Sequence, residues 1–368
     1  MADYEIWLTD DRGRRLALID YALGLQCSRS TDKMGWFALR VPPSIQRQFI
    51  DPKRPDRMVQ VWRNGSLWRP YFVRKFTFNT SDSGDAVLIE GPDVKDLLRR
   101  RIVAAYSTSA QAEKTDYADD MMKEIVTEAI ADSALPVPTA GTRVWANLSV
   151  AADLGDGPTL TKGFSLDPLF TSSASGILPK LQKAAREAGT EVWFDVVPDA
   201  VTGASLTLQF KTYTGQPGMD VSNRVVFDQE YGNLIGPELV YNYTEEENYI
   251  YAAGKGEGPA RDIQQVYDAT RYNQSIWGRC EGSTDARNQD DDGVREAGRD
   301  ALEEGRPSIV FSGQAVDTPR ARFGRDWDVG YRVKARYTGF ELTTVISAVS
   351  LAVSAEGERI EAALEYRE

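Results

Sequence analysis

The stretch MVQVWRNGSLWRPYFV, Met58 to Val73, constrains the fold most. Two runs rich in β-branched and aromatic residues flank Asn64-Gly65, a dipeptide that favours a type I′ hairpin because both central residues take positive φ. The pattern recurs upstream. YEIWL alternates Tyr4, Ile6 and Leu8 against Glu5 and Trp7, DDRGRR turns, and RLALID resumes an extended pattern. LQCSRS and WFALRV flank TDKMG, Pro42-Pro43 closes that pair, and AVLIEG ends at Gly91-Pro92. DVKDLLRRRIV then reads as helical. Strand after strand joined by hairpin turns implies a β-barrel or sandwich over residues 1–98.

Between 99 and 214 the period changes. In TDYADDMMKEIVTEAIADS, residues Ala118, Met121, Met122, Ile125, Ala129 and Ile130 recur at helical spacing behind Asp116, the expected N-cap. A second helix, GILPKLQKAAREAG, buries Ile177, Leu178, Leu181, Ala184 and Ala185 and stops at Gly189. EVWFDVV and SLTLQF follow as strands, making this an α/β segment. Residues 215–368 return to β: NRVVFDQ, ELVYNY, NYIYAAG, PSIVFSGQ, YRVKARY, TTVISAVSLAVS and RIEAALEY, with a helical insertion near 293–305. Val345, Ala348 or Val349, Leu351 and Val353 are the expected inward positions of the long apolar strand. The expected class is mainly β with an α/β insertion. With 368 residues the chain can bury large cores without covalent help.

Chemistry is bounded by what is missing. The sequence has no histidine, which removes Ser-His-Asp and Cys-His catalysis and every histidine metal ligand. Cys27 and Cys280 are expected as ordinary thiols, and such thin usage fits a reducing cytoplasm. MADYEIW has neither a basic nor an apolar leader region, and TTVISAVSLAVS is too short to span a membrane. No membrane anchor is expected. A net charge of -12 disfavours gripping nucleic acid by its phosphates but does not exclude a surface that lets DNA pass without sticking.

Four motifs look chemical. AAGKGEGPAR, Ala252 to Arg261, sets Gly254, Gly256 and Gly258 around Lys255. A phosphate loop needs glycine where Tyr249 stands and Ser or Thr where Gly256 stands, and a dinucleotide fingerprint needs glycine where Pro259 stands. A turn or bulge between strands is the better reading. Glu245, Glu246 and Glu247 suggest a solvated hairpin tip, and NQDDDGVREAGR imitates a calcium loop through Asn288, Asp290, Asp292 and Gly293. It places Arg299 where the closing glutamate belongs. RDWDVG brings Asp326, Asp328 and Gly330 around Trp327, the pattern of a turn before a strand. No cofactor or metal site is expected from these.

Taken in order, YEIWLTDDRGRRLALID, DKMGWFALRVP, GPDVKDLLRRRI, YADDMMKEIV, NYIYAAGKGEGPAR, EEGRPSIVFSG and FGRDWDVGYRV resemble the baseplate-hub, or tail-associated, proteins of long non-contractile-tailed phages. The resemblance implies two barrels related to the tail-tube fold with smaller α+β hub domains, and a homotrimer whose six barrels match the tube above. It implies a tail-tip location in the virion, with the distal tail protein, tail tube, tape-measure protein and other tail-tip or fibre proteins as partners and DNA only in transit. It makes Asn64, Gly65, Gly254, Gly256, Gly258, Arg261, Asp326, Asp328 and Gly330 structural turns with a part in assembly. Relatives carry aspartate after the last glycine of RDWDxG; here Tyr331 stands there. A carboxylate-pair hydrolase and a receptor-binding module are the alternatives.

Overall fold

The computed structural model describes residues 3–45, 56–79, 86–103, 112–131, 143–164, 166–173, 175–202, 205–287, 291–316 and 318–365. The expectation for Asn288 and Asp290 falls outside them. The described chain is mainly β and clusters into two units. One comprises Met1–Pro237 with Ser312–Leu364, and the other comprises Glu238–Phe311 with Glu365–Glu368.

In the first unit the alternating runs become β1 (Tyr4–Thr9), β2 (Arg15–Leu18), β3 (Gly24–Ser30), β4 (Trp36–Val41), β5 (Met58–Arg63), β6 (Ser66–Phe72), β7 (Lys75–Asn79) and β8 (Ala86–Pro92). An antiparallel sheet has the order β2-β1-β5-β6. DVKDLLRRRIV yields only one helical turn, α1 (Asp96–Arg99). The chain bends there because Asp96 takes Arg99 and Arg100 as partners while Leu97 and Leu98 turn into the core.

The α/β segment holds β9 (Ala112–Tyr117), α2 (Ala118–Val126), β10 (Leu148–Val150), β11 (Thr159–Phe164), α3 (Ile177–Glu187), β12 (Val192–Val201) and β13 (Leu206–Thr214). The sheet β10-β13-β12 and the pair β11-β9 pack with both helices around one apolar core. All eleven expected apolar positions of the two helices are buried, and α3 closes on Gly189 at φ +88°. Asp116 is not the N-cap. Tyr117 occupies that position without a side-chain cap, and the Asp116 carboxylate accepts from the Tyr117 amide. The helix instead uses Asp119 and Asp120, in its first turn, to accept the backbone amides of Leu154, Gly155 and Asp156.

The last third supplies β14 (Val226–Asp228), β15 (Leu234–Asn242), β16 (Tyr249–Ala253), β17 (Ile263–Tyr267), α4 (Ala269–Gln274), β18 (Glu281–Asp285), α5 (Asp291–Glu304), β19 (Ser308–Ala315), β20 (Arg332–Tyr337), β21 (Phe340–Ser354) and β22 (Gly357–Glu365). A ten-stranded sheet runs β15-β19-β22-β21-β3-β4-β8-β7, with β20 on β21 and β14 on β20. Pairs such as Leu351 with Cys27 therefore join the chain's last strands to its first. No closed barrel is found among the described residues. β21 corrects the inward set. It pairs β20 up to Val345 and β3 from Ala348, and its buried positions shift from Leu342, Thr344 and Ile346 to Val349 and Leu351. Val345, Ala348 and Val353 are only half-buried, because the alternation continues while the more deeply covered face changes along this 15-residue strand.

The second unit is small. Its sheet β17-β16-β18 is covered on one face by α5, around Ala252, Ala286, Val294 and Ala297. Cys27 is buried, Cys280 is half-buried, and both are free thiols.

Candidate assembly sites

Asn64 and Gly65 take φ of 51° and 76° between Arg63 and Ser66, a two-residue turn joining β5 to β6. The Asn64 side chain accepts the Asp3 amide at 3.0 Å. Arg63, just before the turn, holds Glu358 through two bonds of 2.8 and 3.0 Å and donates to the Phe323 carbonyl at 3.3 Å. Tyr4 donates to the same carboxylate. The hairpin thus meets the segment that leads into RDWDVG.

That segment is a turn built on Trp327. The indole is 1 % exposed, with ring centroids 5.2 Å from Phe227 and 4.9 Å from Phe323. Asp326 accepts the Arg322 amide at 2.8 Å and pairs with Arg325 at 2.6 Å, which holds its carboxyl below the usual range. Asp328 accepts the Val329 amide at 2.7 Å and turns its other oxygen to Arg29 at 4.0 Å. Gly330 sits at φ +84°, where a Cβ would lie 2.7 Å from Pro217 Cγ. Tyr331 lies against Gly218, where a Cβ would come within 2.5 Å of its ring.

Arg29 opens onto a cluster that the sequence reading missed. Arg69 on β6 is 1 % exposed and donates to Asp93 at 2.8 and 3.1 Å and to Asp195 on β12 at 2.8 and 3.1 Å. Lys95 is fully buried and donates to the carbonyls of Ser30, Thr31 and Lys33 at 2.6, 3.1 and 3.1 Å, with Asp195 at 3.6 Å. Arg29 reaches Asp195 at 3.9 Å. Three cations and three carboxylates thus tie β3, β6, β12, the start of α1 and the Asp328 turn together. Burial alone raises the Asp195 carboxyl, but Arg69, then Lys95 and Arg29, outweigh it and hold it at about 2. Burial pushes Lys95 down against the pull of Asp195 and Asp93. No local motif announces such a cluster, since its members lie on strands far apart in sequence. The only available signal was charge at inward positions of β-patterned runs, Arg69 in SLWRPYF and Asp195 in VWFDVV.

The glycine-rich segment lies in the second unit, as the loop from β16 to β17. Gly254 donates to the Asp262 carbonyl and Asp262 to the Lys255 carbonyl, each at 2.8 Å. A Cβ on Gly254 would lie 2.9 Å from Val294 of α5, and one on Gly256, at φ +99°, 2.3 Å from the Ala260 carbonyl. Gly258 has φ +54° and open space around it. Arg261 closes the loop on the Gly254 and Ala253 carbonyls at 3.3 Å and on Asp285 at 2.9 Å. The loop's backbone is closed on itself, and close approach accounts for two of the three glycines, by the Val294 side chain at Gly254 and by backbone at Gly256. Glu246 pairs with Arg271 at 3.4 Å and the Glu247 amide donates to Gly305 at 2.8 Å, so the acidic tip is tied down and only Glu245 of the three is exposed. Asp291 and Asp292 open α5. Among the described residues no three Cys, Asp or Glu side chains converge as metal ligands.

A profile of the family described as Siphovirus ReqiPepy6 Gp37-like protein matches residues 3–364. The chain belongs to that family. No curated protein sequence matches this Gp37-like chain. Its fold is shared with the 43 kDa tail protein of prophage MuSo2 from Shewanella oneidensis, at TM-score 0.60 and 13 % identity over 99 % of this chain and 98 % of that one. It is shared also with a tail protein of Neisseria meningitidis MC58, at TM-score 0.57 and 13 % identity over 98 % and 96 % of the two chains. The resemblance to tail-associated phage proteins is borne out by family membership and by a fold matched over nearly the whole chain.

Proposed function

We propose that this Gp37-like chain is a structural protein of the virion tail tip, a homotrimeric baseplate hub that joins the tail tube to the adhesion apparatus and forms or gates the DNA channel. The end-to-end fold match to tail proteins, over 99 % and 98 % of this chain, carries the reading. The proposed tail-tube-like barrels belong to 1–98 and 215–368, each of which contributes strands to the ten-stranded sheet, with 99–214 as the α/β hub element. Asn64-Gly65, the glycine loop with Arg261, and the Asp326–Gly330 turn fix the surfaces on which neighbours assemble. The proposed neighbours are the distal tail protein, tail tube, tape-measure protein and fibre proteins. The chain is not an enzyme in this reading and takes no cofactor. Assembly occurs in the host cytoplasm, and no helix among the described residues is long and apolar enough to cross a membrane.

DNA passes such a channel best along a like-charged wall, since a cationic bore would release counterions and hold the phosphates. The lumen is therefore lined mostly by Asp and Glu, with Arg99 to Arg101 turned toward protein. Arg99 and Arg100 already sit on Asp96, and Arg101 donates to the Arg143 carbonyl. Light scattering of the purified protein should give three times the 40.9 kDa chain mass, and a tail-tip density map should place the trimer on the tube axis. A monomer with no axial channel, or a lumen ring of Lys and Arg, rejects the hub. Turnover of cell wall or capsular polysaccharide that is lost in Glu246→Gln or Asp291→Asn would replace it with a hydrolase.

A further inference from the structure

Arg101 and Arg143 meet on pinned backbone. Arg101 follows α1, and the chain there is fixed by the Leu169 amide on the Arg101 carbonyl at 3.1 Å and by the Val103 amide on the Asp167 carbonyl at 2.8 Å. Just beyond Arg143, the Trp145 amide donates to the Ile130 carbonyl at 2.8 Å. The two side chains then tie the two segments together. Arg101 Nη2 donates to the Arg143 carbonyl at 3.0 Å, Arg143 Nη2 donates to the Ile102 carbonyl at 2.7 Å, and Arg101 Nη1 donates to the Arg100 carbonyl at 3.2 Å. Every one of these acceptors is neutral.

What the pair lacks is a counter-charge. Arg99 and Arg100, the two preceding residues, share Asp96 at 2.5 and 2.9 Å, whereas no carboxylate among the described residues forms an ion pair with Arg101 or Arg143. The surrounding charges do not fill the gap. Burial pushes the Arg143 guanidinium below its usual range, Arg101 pushes it further, and the opposing pull of Glu128 is weaker than that repulsion. Glu128 is itself held by Lys114 at 2.8 Å, and Lys114 also takes Glu124 at 2.8 Å. Arg101 is pushed down by burial alone, so Asp167, opposite Val103, does not compensate it. Arg101 Nε and Arg143 Nη1 are each buried without an acceptor. Two half-buried cations held together with N–H groups to spare and no anion between them make a place for an oxyanion, whose paired oxygens match the guanidinium fork.

Charge also bears on the occupant. Holding a duplex takes many neutralised phosphates, and this spot offers two uncompensated cations on a chain of net charge -12. The chain itself is rich in what the pair lacks, with 55 acidic residues against 43 basic. A contact from this pair on one copy to a carboxylate elsewhere on the next is heterologous, the kind of contact that closes copies into a ring.

We propose that Arg101 and Arg143 form an oxyanion site that takes an Asp or Glu carboxylate from a second copy of this chain. The inference rests on the trimeric reading above and gives it a named contact. The site is incomplete in one chain and is completed by its neighbour.

In analytical ultracentrifugation of the full chain, Arg101→Glu and Arg143→Glu should each weaken self-association about tenfold or more, and added salt should weaken it in the unsubstituted chain. Arg143→Lys keeps the charge and allows a direct readout, since carbodiimide joins an amine to a carboxylate only where the two touch. Heavy-isotope-labelled and unlabelled chains carrying this substitution, mixed, assembled and coupled, should yield a peptide linking position 143 of one isotope to an Asp or Glu of the other. Links confined to one isotope, such as 143 to Glu128, or no link at all would overturn the proposal. So would self-association unchanged within about threefold in both Glu variants, or duplex DNA retained by the unsubstituted chain and released by Arg143→Glu. If the Glu variants fail to fold, the coupling alone decides. Light scattering of the unsubstituted chain keeps the two readings apart: a trimer without the mixed-isotope link removes this contact and leaves the hub, whereas a monomer removes both.

Discussion

The two units solve the same problem with different means. Met1–Pro237 with Ser312–Leu364 buries extended apolar cores and sets inside them a six-member charge cluster, with Arg69, Asp93 and Lys95 at 1 % exposure or less. Glu238–Phe311 has a small core cluster of Ala252, Ala286, Val294 and Ala297 and leaves Tyr241, Tyr243, Tyr267 and Trp277 exposed. A charge in a large interior must be fully partnered, so it fixes which strands meet; a small unit cannot shield such a group and must rely on backbone geometry. The first unit should therefore break when a charge is removed, and the second when a glycine is replaced.

The largest effect is expected from Arg69→Leu, which strands Asp93 and Asp195 without their guanidinium. A loss of about 3–5 kcal/mol should follow, confined to the first unit in amide hydrogen exchange. Equal deprotection of β16 and β17 would erase the contrast. In the second unit, Gly256→Val combines a left-handed backbone with a Cβ 2.3 Å from the Ala260 carbonyl. A destabilisation of about 2 kcal/mol or more is expected there, read as lost protection in β16 and β17 with β3 and β6 unchanged.

Acid sharpens the comparison. The Asp195 carboxyl is lowered from 3.8 to about 2, so its contribution is present above the unfolded value and is lost as pH falls from about 4 through about 2. Roughly 2 kcal/mol should disappear from the first unit in that window, and Asp195→Asn, measured by urea unfolding at each pH, should flatten that part of the profile. Gly65→Val adds strain where a Cβ meets nothing within 4 Å, so only the backbone penalty of about 1–2 kcal/mol is expected. An unchanged melting temperature would remove the β5–β6 turn from the account. Smallest of all, Lys255→Ala should change stability by under about 0.5 kcal/mol and leave an ATP titration flat. Saturable ATP binding that this variant loses would reverse the reading of the loop.

Local chemistry was legible wherever one segment settles its own conformation. Asn64-Gly65, the two amphipathic helices with Gly189, and the failure of AAGKGEGPAR to fit a phosphate loop all depend on residues within one turn or one period of each other. The N-cap at 116 was misread because the helix met a distant loop, 154–156, whose amides took Asp119 and Asp120 instead. The inward set of β21 was misread because a long strand can have one face covered at its start and the other at its end, here Leu342, Thr344 and Ile346 and then Val349 and Leu351.

By itself the sequence determined a mainly β chain with an α/β segment, its hairpin and helix stops, the exclusion of histidine chemistry, and a family likeness spread over its length. Only the tertiary structure decided that the final strands pair with the first, and that Arg69, Asp93, Lys95, Asp195, Arg29 and Asp328 converge. It also decided that one face of β17-β16-β18 stays open. Periodicity and turn propensity act over a few residues and can be read along the chain. Strand pairing and charge burial are set by which distant surfaces close on each other, and composition does not encode that choice at any one position.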